Sequence, residues 1–446
     1  MRSASTLSFM WIAAVLAWSL AGCLPPEAEG PAGPPTPGGA TAVPATPTTV
    51  PTATASPAAT ATATPAPSPT SPPAAQRLVI AFVSGGDLYV WREGETARRL
   101  TRADPETGAR IPISDDGQVI AFFRDGELYS IRADGSSERL LVSRSYLESQ
   151  RPPDARAVYI MDFDFVPGTH EIFFQLVADT EAYFQFLNDL RSVNADDGTL
   201  RVVLEPGRGG GPWVLSPDGR FFALSQGDQI RVIRRDGSED RVLLRFDPVS
   251  TQSEWPYFPE IAWREDSSGL YTIIPPARPE EPGGRSRYYF LPLEGSPVLL
   301  AEFSTRVGSF PRLSPDGRKV AYVRVEEGLP ALYIRDEQGT ERQVHREPPS
   351  ALPGADPFLL LLDWSPDARR IAFYNNQLNF WVADAEGRLI SLGQPEGECD
   401  LCDMRWVDSN RFLLVREGRL ILSDLASSSE TQIADSVLSY GFRLVR

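Results

Sequence analysis

The sequence predicts an all-β fold, a single β-propeller of four-stranded blades preceded by a disordered linker. A tight-turn signature returns at intervals of about 40 to 52 residues. Each copy is followed by a short apolar strand, and a second Asp-Gly-type turn follows two strands later. The region ahead of the first repeat has a composition that cannot form a core.

In chain order, the first element is a leader. A single charge, Arg2, precedes an apolar run from Leu7 to Leu20, and Leu20-Ala21-Gly22-Cys23 follows. The run is too short to span about 30 Å of hydrocarbon as a stable helix, so residues 1–22 read as a cleaved signal peptide. The tetrapeptide resembles the bacterial lipoprotein processing site. That resemblance implies that Cys23 receives a diacylglycerol group and becomes the new N-terminus, and several acyl chains on one residue give stable anchoring. The expected location is therefore extracytoplasmic, on the periplasmic or cell-surface side of a membrane.

Residues 23–76 follow, almost entirely Pro, Ala, Thr, Ser and Gly, with Glu27 and Glu29 their only charges. Such a chain cannot recover the entropy lost on ordering, and its prolines bias it toward extended conformations. At ~3.1 Å per residue it reaches more than about 100 Å. It reads as a spacer, with O-glycosylation of its threonines a second reading.

From Arg77 to the end the sequence turns to runs of Val, Ile, Leu, Phe and Tyr. The signature reads Ser114-Asp115-Asp116-Gly117, Ser216-Pro217-Asp218-Gly219, Ser314-Pro315-Asp316-Gly317 and Ser365-Pro366-Asp367-Ala368. Degenerate copies are Val166-Pro167-Gly168, Arg264-Glu265-Asp266 and Val407-Asp408-Ser409-Asn410. Asp and Asn tolerate left-handed backbone and Gly adopts it freely, so structure alone accounts for these aspartates. Eight blades are favoured, over 77–102, 109–143, 158–204, 211–246, 258–303, 309–346, 359–393 and 402–434, with seven as the alternative. The first lacks an inner strand, and the apolar stretch from Ser436 to Arg446 is expected to supply it and close the ring, leaving no open edge.

The repeat Ser-Pro-Asp-Gly-(Arg/Lys), leading to Leu-Tyr-x-(Ile/Val) and a further Asp-Gly, resembles the TolB-type propeller repeat over Arg77 to Arg446. The resemblance implies the fold but not the activity, because related repeats serve both partner-binding proteins and the propellers of prolyl-oligopeptidase-type enzymes. The chain departs from TolB in carrying a lipobox and tether in place of an α/β domain. It departs from the oligopeptidases in having no Gly-x-Ser-x-Gly elbow.

With 43 basic and 59 acidic residues the net charge is −16. An acidic domain repels phosphates, so no nucleic-acid partner is expected. The two histidines, His170 and His345, are far apart in sequence, which disfavours a triad or a zinc site. No catalytic residue, metal site or cofactor is nominated. Cys399 and Cys402 have the spacing of a loop disulfide in an oxidising compartment, with free redox-active thiols and a metal site as other readings. Asp162 and Asp164 alternate on one inner strand and so share a face toward the central channel, but two carboxylates are too few for calcium.

Connections from second to third strands, and from each blade to the next, share one face of a propeller. Here they are long: Arg144 to Arg156, Asp247 to Tyr257, Pro275 to Arg285, Pro348 to Pro357 and Gln394 to Asp403. The candidate binding face gathers Tyr183, Phe184, Phe186, Trp255 and Tyr257 with Arg278, Arg285 and Arg287, a composition suited to recognition. The alternative is that these aromatics pack the loops onto the ring. The expected function is non-catalytic binding of a protein, peptide or glycan. A scaffold or sensor ectodomain comes second, and an extracytoplasmic hydrolase or lyase last.

Overall fold

The computed structural model describes residues 76–446 except 105–109, 182, 254–255, 307–308, 350–356, 376, 394–403 and 446. The leader, Cys23, nearly all of the linker, Trp255, Cys399 and Cys402 thus lie outside the described residues. Among those described, no helix is long and apolar enough to cross a membrane.

The strands form eight antiparallel sheets, each built from consecutive strands except the first. Blade 1 combines Arg77–Ser84, Asp87–Arg92 and Arg98–Arg102 with the last strand, Val437–Val445, as its innermost member. That strand runs antiparallel to Arg77–Ser84, with Leu78 opposite Leu444, Ile80 opposite Phe442 and Phe82 opposite Tyr440. The ring is closed as the sequence predicts.

Each second strand is a continuous apolar run because both of its faces are covered by neighbouring blades. Along Leu78–Val83 the side chains alternate: Val79, Ala81 and Val83 pack with blade 2, whereas Leu78, Ile80 and Phe82 pack with blade 8. The same division repeats around the circle, giving eight apolar clusters, one between each adjacent pair of blades. Seven blades would leave one of these runs without its second cover, so the alternative is excluded.

Three indoles tie the inner strands together. Trp263 Nε1 donates to the Val214 carbonyl at 2.9 Å, Trp364 to that of Arg312 at 3.1 Å, and Trp406 to that of Asp363 at 3.3 Å. Each tryptophan ends its own inner strand and reaches back to the inner strand of the preceding blade.

The repeated turn works through its serine and aspartate. Ser216 Oγ donates to Asp218 at 2.7 Å and accepts the Phe221 N–H at 3.0 Å, and Ser114, Ser314 and Ser365 repeat the arrangement. The fourth turn position is left-handed, with φ of 68° at Gly117, 70° at Gly219 and 73° at Gly317. Ala368 is forced into the same region at φ 56°. Ala368→Gly is therefore expected to raise stability by about 1 kcal/mol, the cost of holding a Cβ there, read as a higher urea midpoint at unchanged slope.

Three local differences from the sequence reading have physical causes. Blade 2 has three strands, its inner edge reduced to a single bridge between Ile113 and Ile120, because Pro112 has no N–H to donate. Blade 3 gains a short fifth strand, Phe184–Phe186, which folds back on Glu171–Thr180. The long connection after blade 2 contains a helix, Arg144–Ser149, capped by Ser143, whose Oγ accepts the Tyr146 N–H at 3.2 Å.

Candidate functional site

The first strands of blades 4 and 5, 6 and 7, and 7 and 8 touch one another, and with the ring closed the innermost strands surround a central lumen. Two positions ahead of the repeated turn supply the lumen's charges in most of the blades. Four residues before the turn stand Arg110, Asp162 and Glu260, and two residues before it stand Asp164, Arg312, Asp363 and Arg405. Arg443, from the closing strand, joins them among the described residues.

These groups feel one another across the lumen. Burial raises the Asp162 carboxyl above its ordinary value, against the opposing pull of Arg110. Asp164 is raised by the same confinement, opposed by Arg443 and more weakly by Arg110, and reinforced by Asp162. Asp363, on blade 7, is also raised by burial, opposed chiefly by Arg312 and, from the far side, by Arg110. Closure of the ring sets the inner edges of blades 2, 3 and 7 around a common space. Asp162 remains exposed to water there, although protein surrounds it.

Some of these charges are committed to the wall. Glu260 accepts from Arg312 Nη1 and from the Leu313 N–H, each at 2.6 Å. Arg443 lies 3.3 Å from Asp115 and 4.0 Å from Asp164, and donates to the Ile113 carbonyl at 3.1 Å. Arg405 donates to the Tyr440 carbonyl at 3.0 Å and lies over its ring. Among the described residues no group of three or more metal-binding side chains gathers. In particular, Asp162 and Asp164 have guanidinium groups as neighbours.

The raised lumen carboxyls give a stability prediction with a definite sign. A carboxyl whose folded-state pKa exceeds its unfolded one favours folding while protonated, and that contribution is lost as pH rises through the folded value. At pH 7 ionised Asp162 therefore opposes folding. Asp162→Asn is expected to raise Tm at pH 7, and the gain should shrink toward zero below about pH 4, where the unfolded carboxyl is protonated too. Thermal melts across that range check it.

The candidate face divides into two parts. Tyr257 stacks on Phe310 with ring centroids 5.0 Å apart, and Phe186 meets Phe258 edge-on at 6.4 Å. Burial, with Glu260 nearby, pushes the Tyr257 phenol up. Tyr257, Phe186 and Phe258 therefore pack the loops onto the ring beside the lumen. Phe184 is half-buried in the added strand, and Tyr183, just before it, is 53% exposed. The arginines lie on blade 5, where Arg278 pairs with Glu281 at 2.8 Å and Arg285 donates to the Glu302 carbonyl at 2.9 Å. Arg287 is half-buried, and its side chain has no hydrogen bond or ion pair with a described residue. No described contact joins these arginines to the aromatic pairs.

The histidines occupy structural positions. His170 sits between Asp196, 2.8 Å from Nδ1, and Asp116, 3.1 Å from Nε2, and so links turns of blades 2 and 3. His345 lies on an outer strand of blade 6, 3.1 Å from Glu347 and packed on Phe373 and Trp381. The lumen set beyond Asp162 and Asp164 was missed in the sequence reading. Its signal is the charged residue two or four places before the repeated turn; in blade 4 both places are uncharged, at Pro212 and Val214.

No family model and no curated protein matches the chain. Solved structures similar to it are propellers, and what they share with it is the fold. TolB from Acinetobacter baumannii is 16% identical over 82% of this chain and 66% of its own, with a TM-score of 0.35. Apo AztD from Citrobacter koseri is 12% identical over 83% and 98%, with a TM-score of 0.45. Porphyromonas gingivalis dipeptidyl peptidase 4 is 10% identical over 74% of this chain and 53% of its own, with a TM-score of 0.47. Enzymes and other proteins thus stand side by side among these relatives in fold.

Proposed function

We propose that this chain is a non-catalytic recognition module, held at the extracytoplasmic side of a membrane by lipid on Cys23, that binds a protein, peptide or glycan on its long-loop face. The observation carrying the reading is the unequal finish of the two faces. The turn face is closed by short serine–aspartate turns whose hydrogen bonds are satisfied internally. The other face carries the capped helix Arg144–Ser149, the added strand Phe184–Phe186 and the exposed Tyr183, and it opens on the charged lumen. Both histidines are engaged by carboxylates away from the lumen, which supports the non-catalytic part.

The test is affinity capture from the native envelope with the full-length lipidated protein. It is compared with a variant carrying Tyr183→Ala, Arg278→Ala and Arg287→Ala, chosen because these side chains do not support the ring. A partner held by the wild type and lost by an equally stable variant is the expected result; an unchanged partner set removes the face from consideration. For the anchor, Cys23→Ser is expected to move the protein from the membrane fraction to the soluble one. Continued sedimentation with membranes would reject lipidation.

A further inference from the structure

Two arginines of blade 1 converge at the turn face, where the linker joins the ring. Arg92 ends the third strand, Asp87–Arg92, and Arg98 begins the fourth, Arg98–Arg102. Arg98 stands opposite Val90 in the register, and Arg92 is two residues further along, so all three side chains share one face of the sheet. That face looks to blade 2, since Val90 is buried in the cluster that holds Ile131 and Ala133. Both guanidinium groups then reach one acceptor: the Ala133 carbonyl takes Arg98 Nη2 at 2.6 Å and Arg92 Nη2 at 3.3 Å. Val90, Arg92, Glu95, Thr96, Ala97 and Arg98 line a cleft of about 480 Å³ beside them.

Neither guanidinium forms an ion pair with a described residue, whereas on the same blade Arg99 pairs with Asp87 at 2.7 Å and Arg102 with Asp125 at 3.8 Å. The neighbouring acids are engaged elsewhere. Glu93 accepts from Arg411 Nη1 at 2.7 Å and from the Leu78 N–H at 3.2 Å, and Asp134 accepts the Ser136 N–H and hydroxyl within its own turn. Glu95, on the cleft wall, is exposed. Two like charges on one carbonyl repel each other, and each keeps further N–H groups to donate. An anion that both can contact relieves the repulsion and takes up those donors.

We infer that this cleft binds a phosphomonoester group, held by Arg92 and Arg98 together. Such a group carries about −1.5 to −2 charges at pH 7, matching two guanidinium groups, and offers three oxygens to planar donors that grip phosphate in pairs. Thr96 adds an exposed hydroxyl on the same wall. The acidic balance of the whole chain works against extended polyanions, but not against one phosphate meeting two local arginines. Two sources share this chemistry, a soluble phosphate ester and a phosphorylated lipid headgroup. The cleft adjoins the root of the linker, because the carbonyl of Leu78, second residue of the first strand, accepts the Glu93 N–H at 2.9 Å. With Cys23 lipidated, headgroups are held at a raised effective concentration on that side. Only the lipid source draws on the anchoring reading; the cleft itself depends neither on it nor on the loop face.

The test is calorimetric titration of the full-length protein with glycerol 3-phosphate, and with glycerol as the uncharged probe. Saturable binding of the phosphate, at least about tenfold tighter than that of glycerol, is expected. Arg92→Gln and Arg98→Gln should each weaken it by about tenfold, and Glu95→Gln should strengthen it, with circular dichroism showing every variant folded. Arg102→Gln, at the far end of the same strand, removes an equal charge outside the cleft and should leave the affinity nearly unchanged. No saturable phosphate binding by the folded wild type, or a loss in Arg102→Gln equal to those in the cleft variants, would overturn the proposal. The source is read by co-sedimentation of the full-length Cys23→Ser protein with phosphatidylcholine vesicles containing or lacking phosphatidic acid. Retention only where phosphatidic acid is present, lost with Arg92→Gln, assigns the lipid; phosphate binding without retention assigns a soluble ester. If Cys23→Ser stays with native membranes, the anchoring reading falls, and the titrations still decide the cleft.

Discussion

Asp189→Ala is expected to be the most damaging single substitution in blade 3, costing about 3–5 kcal/mol, the range for removing one partner of a buried ion pair. Asp189 is wholly buried and Arg191 is 2% exposed. The carboxylate accepts from Arg191 Nε at 2.5 Å and from the Leu176 N–H at 3.1 Å, and Arg191 also donates to the Tyr146 hydroxyl on the connecting helix. Alanine would leave a guanidinium out of water with no counter-charge, and a backbone N–H without its acceptor. Against a total stability on the order of 5–15 kcal/mol, that is a large share. Urea unfolding provides the measurement. The double variant Asp189→Ala, Arg191→Met should recover much of the loss, because the stranded charge is then gone. If the double variant is no more stable than the single one, the cost lies in packing and not in the charge.

The second large effect is expected at the closure of the ring. Gly441 lies on the last strand, and a Cβ built on it would come 1.9 Å from the Ile111 carbonyl oxygen and 2.8 Å from the Ile111 carbonyl carbon. The obstacle is backbone, so no rotamer change relieves it. The chain must separate at the junction where the Ile111 N–H meets the Tyr440 carbonyl at 3.4 Å and Arg110 bridges to Tyr440. Gly441→Ala is expected to cost at least the ~1–3 kcal/mol of ordinary overpacking, with a lower Tm and faster amide exchange along Arg77–Ser84 and Val437–Val445. Gly219→Ala is the control for backbone conformation alone, since its Cβ meets nothing within 4 Å while φ is 70°. Equal losses for the two would refute the steric account.

Much of the architecture can be read locally. The Ser-Pro-Asp-Gly turns hold themselves together within five residues, as the Ser216, Asp218 and Phe221 bonds illustrate, so their chemistry lies in adjacent letters. The second strands announce burial on both faces through unbroken apolar runs such as Val119 to Phe123. Where a local rule met a local exception, as with Pro112 in the blade 2 inner strand, the exception was visible too but its consequence depended on the partner strand.

The candidate site was less legible because it is assembled from residues remote in sequence. Tyr257 and Arg278 look equivalent as surface-loop letters. One is stacked on Phe310 from the next blade and the other stands in solvent beside Glu281, a distinction set by where each loop settles. Arg110, Asp162 and Asp363 share only their place two or four residues before a repeated turn, and closure of the ring is what brings them around one lumen.

By itself, then, the sequence determined the class of fold, the four-stranded repeat, the self-contained turns and the need for the C-terminal strand to complete blade 1. All of these follow from hydrogen bonds and side-chain alternation over short stretches of chain. The tertiary structure decided that the ring holds eight blades, which aromatics are packing and which are surface, and which charges face each other across the axis. Those outcomes depend on contacts between strands tens to hundreds of residues apart, where pairing is set by the joint fit of all the blades.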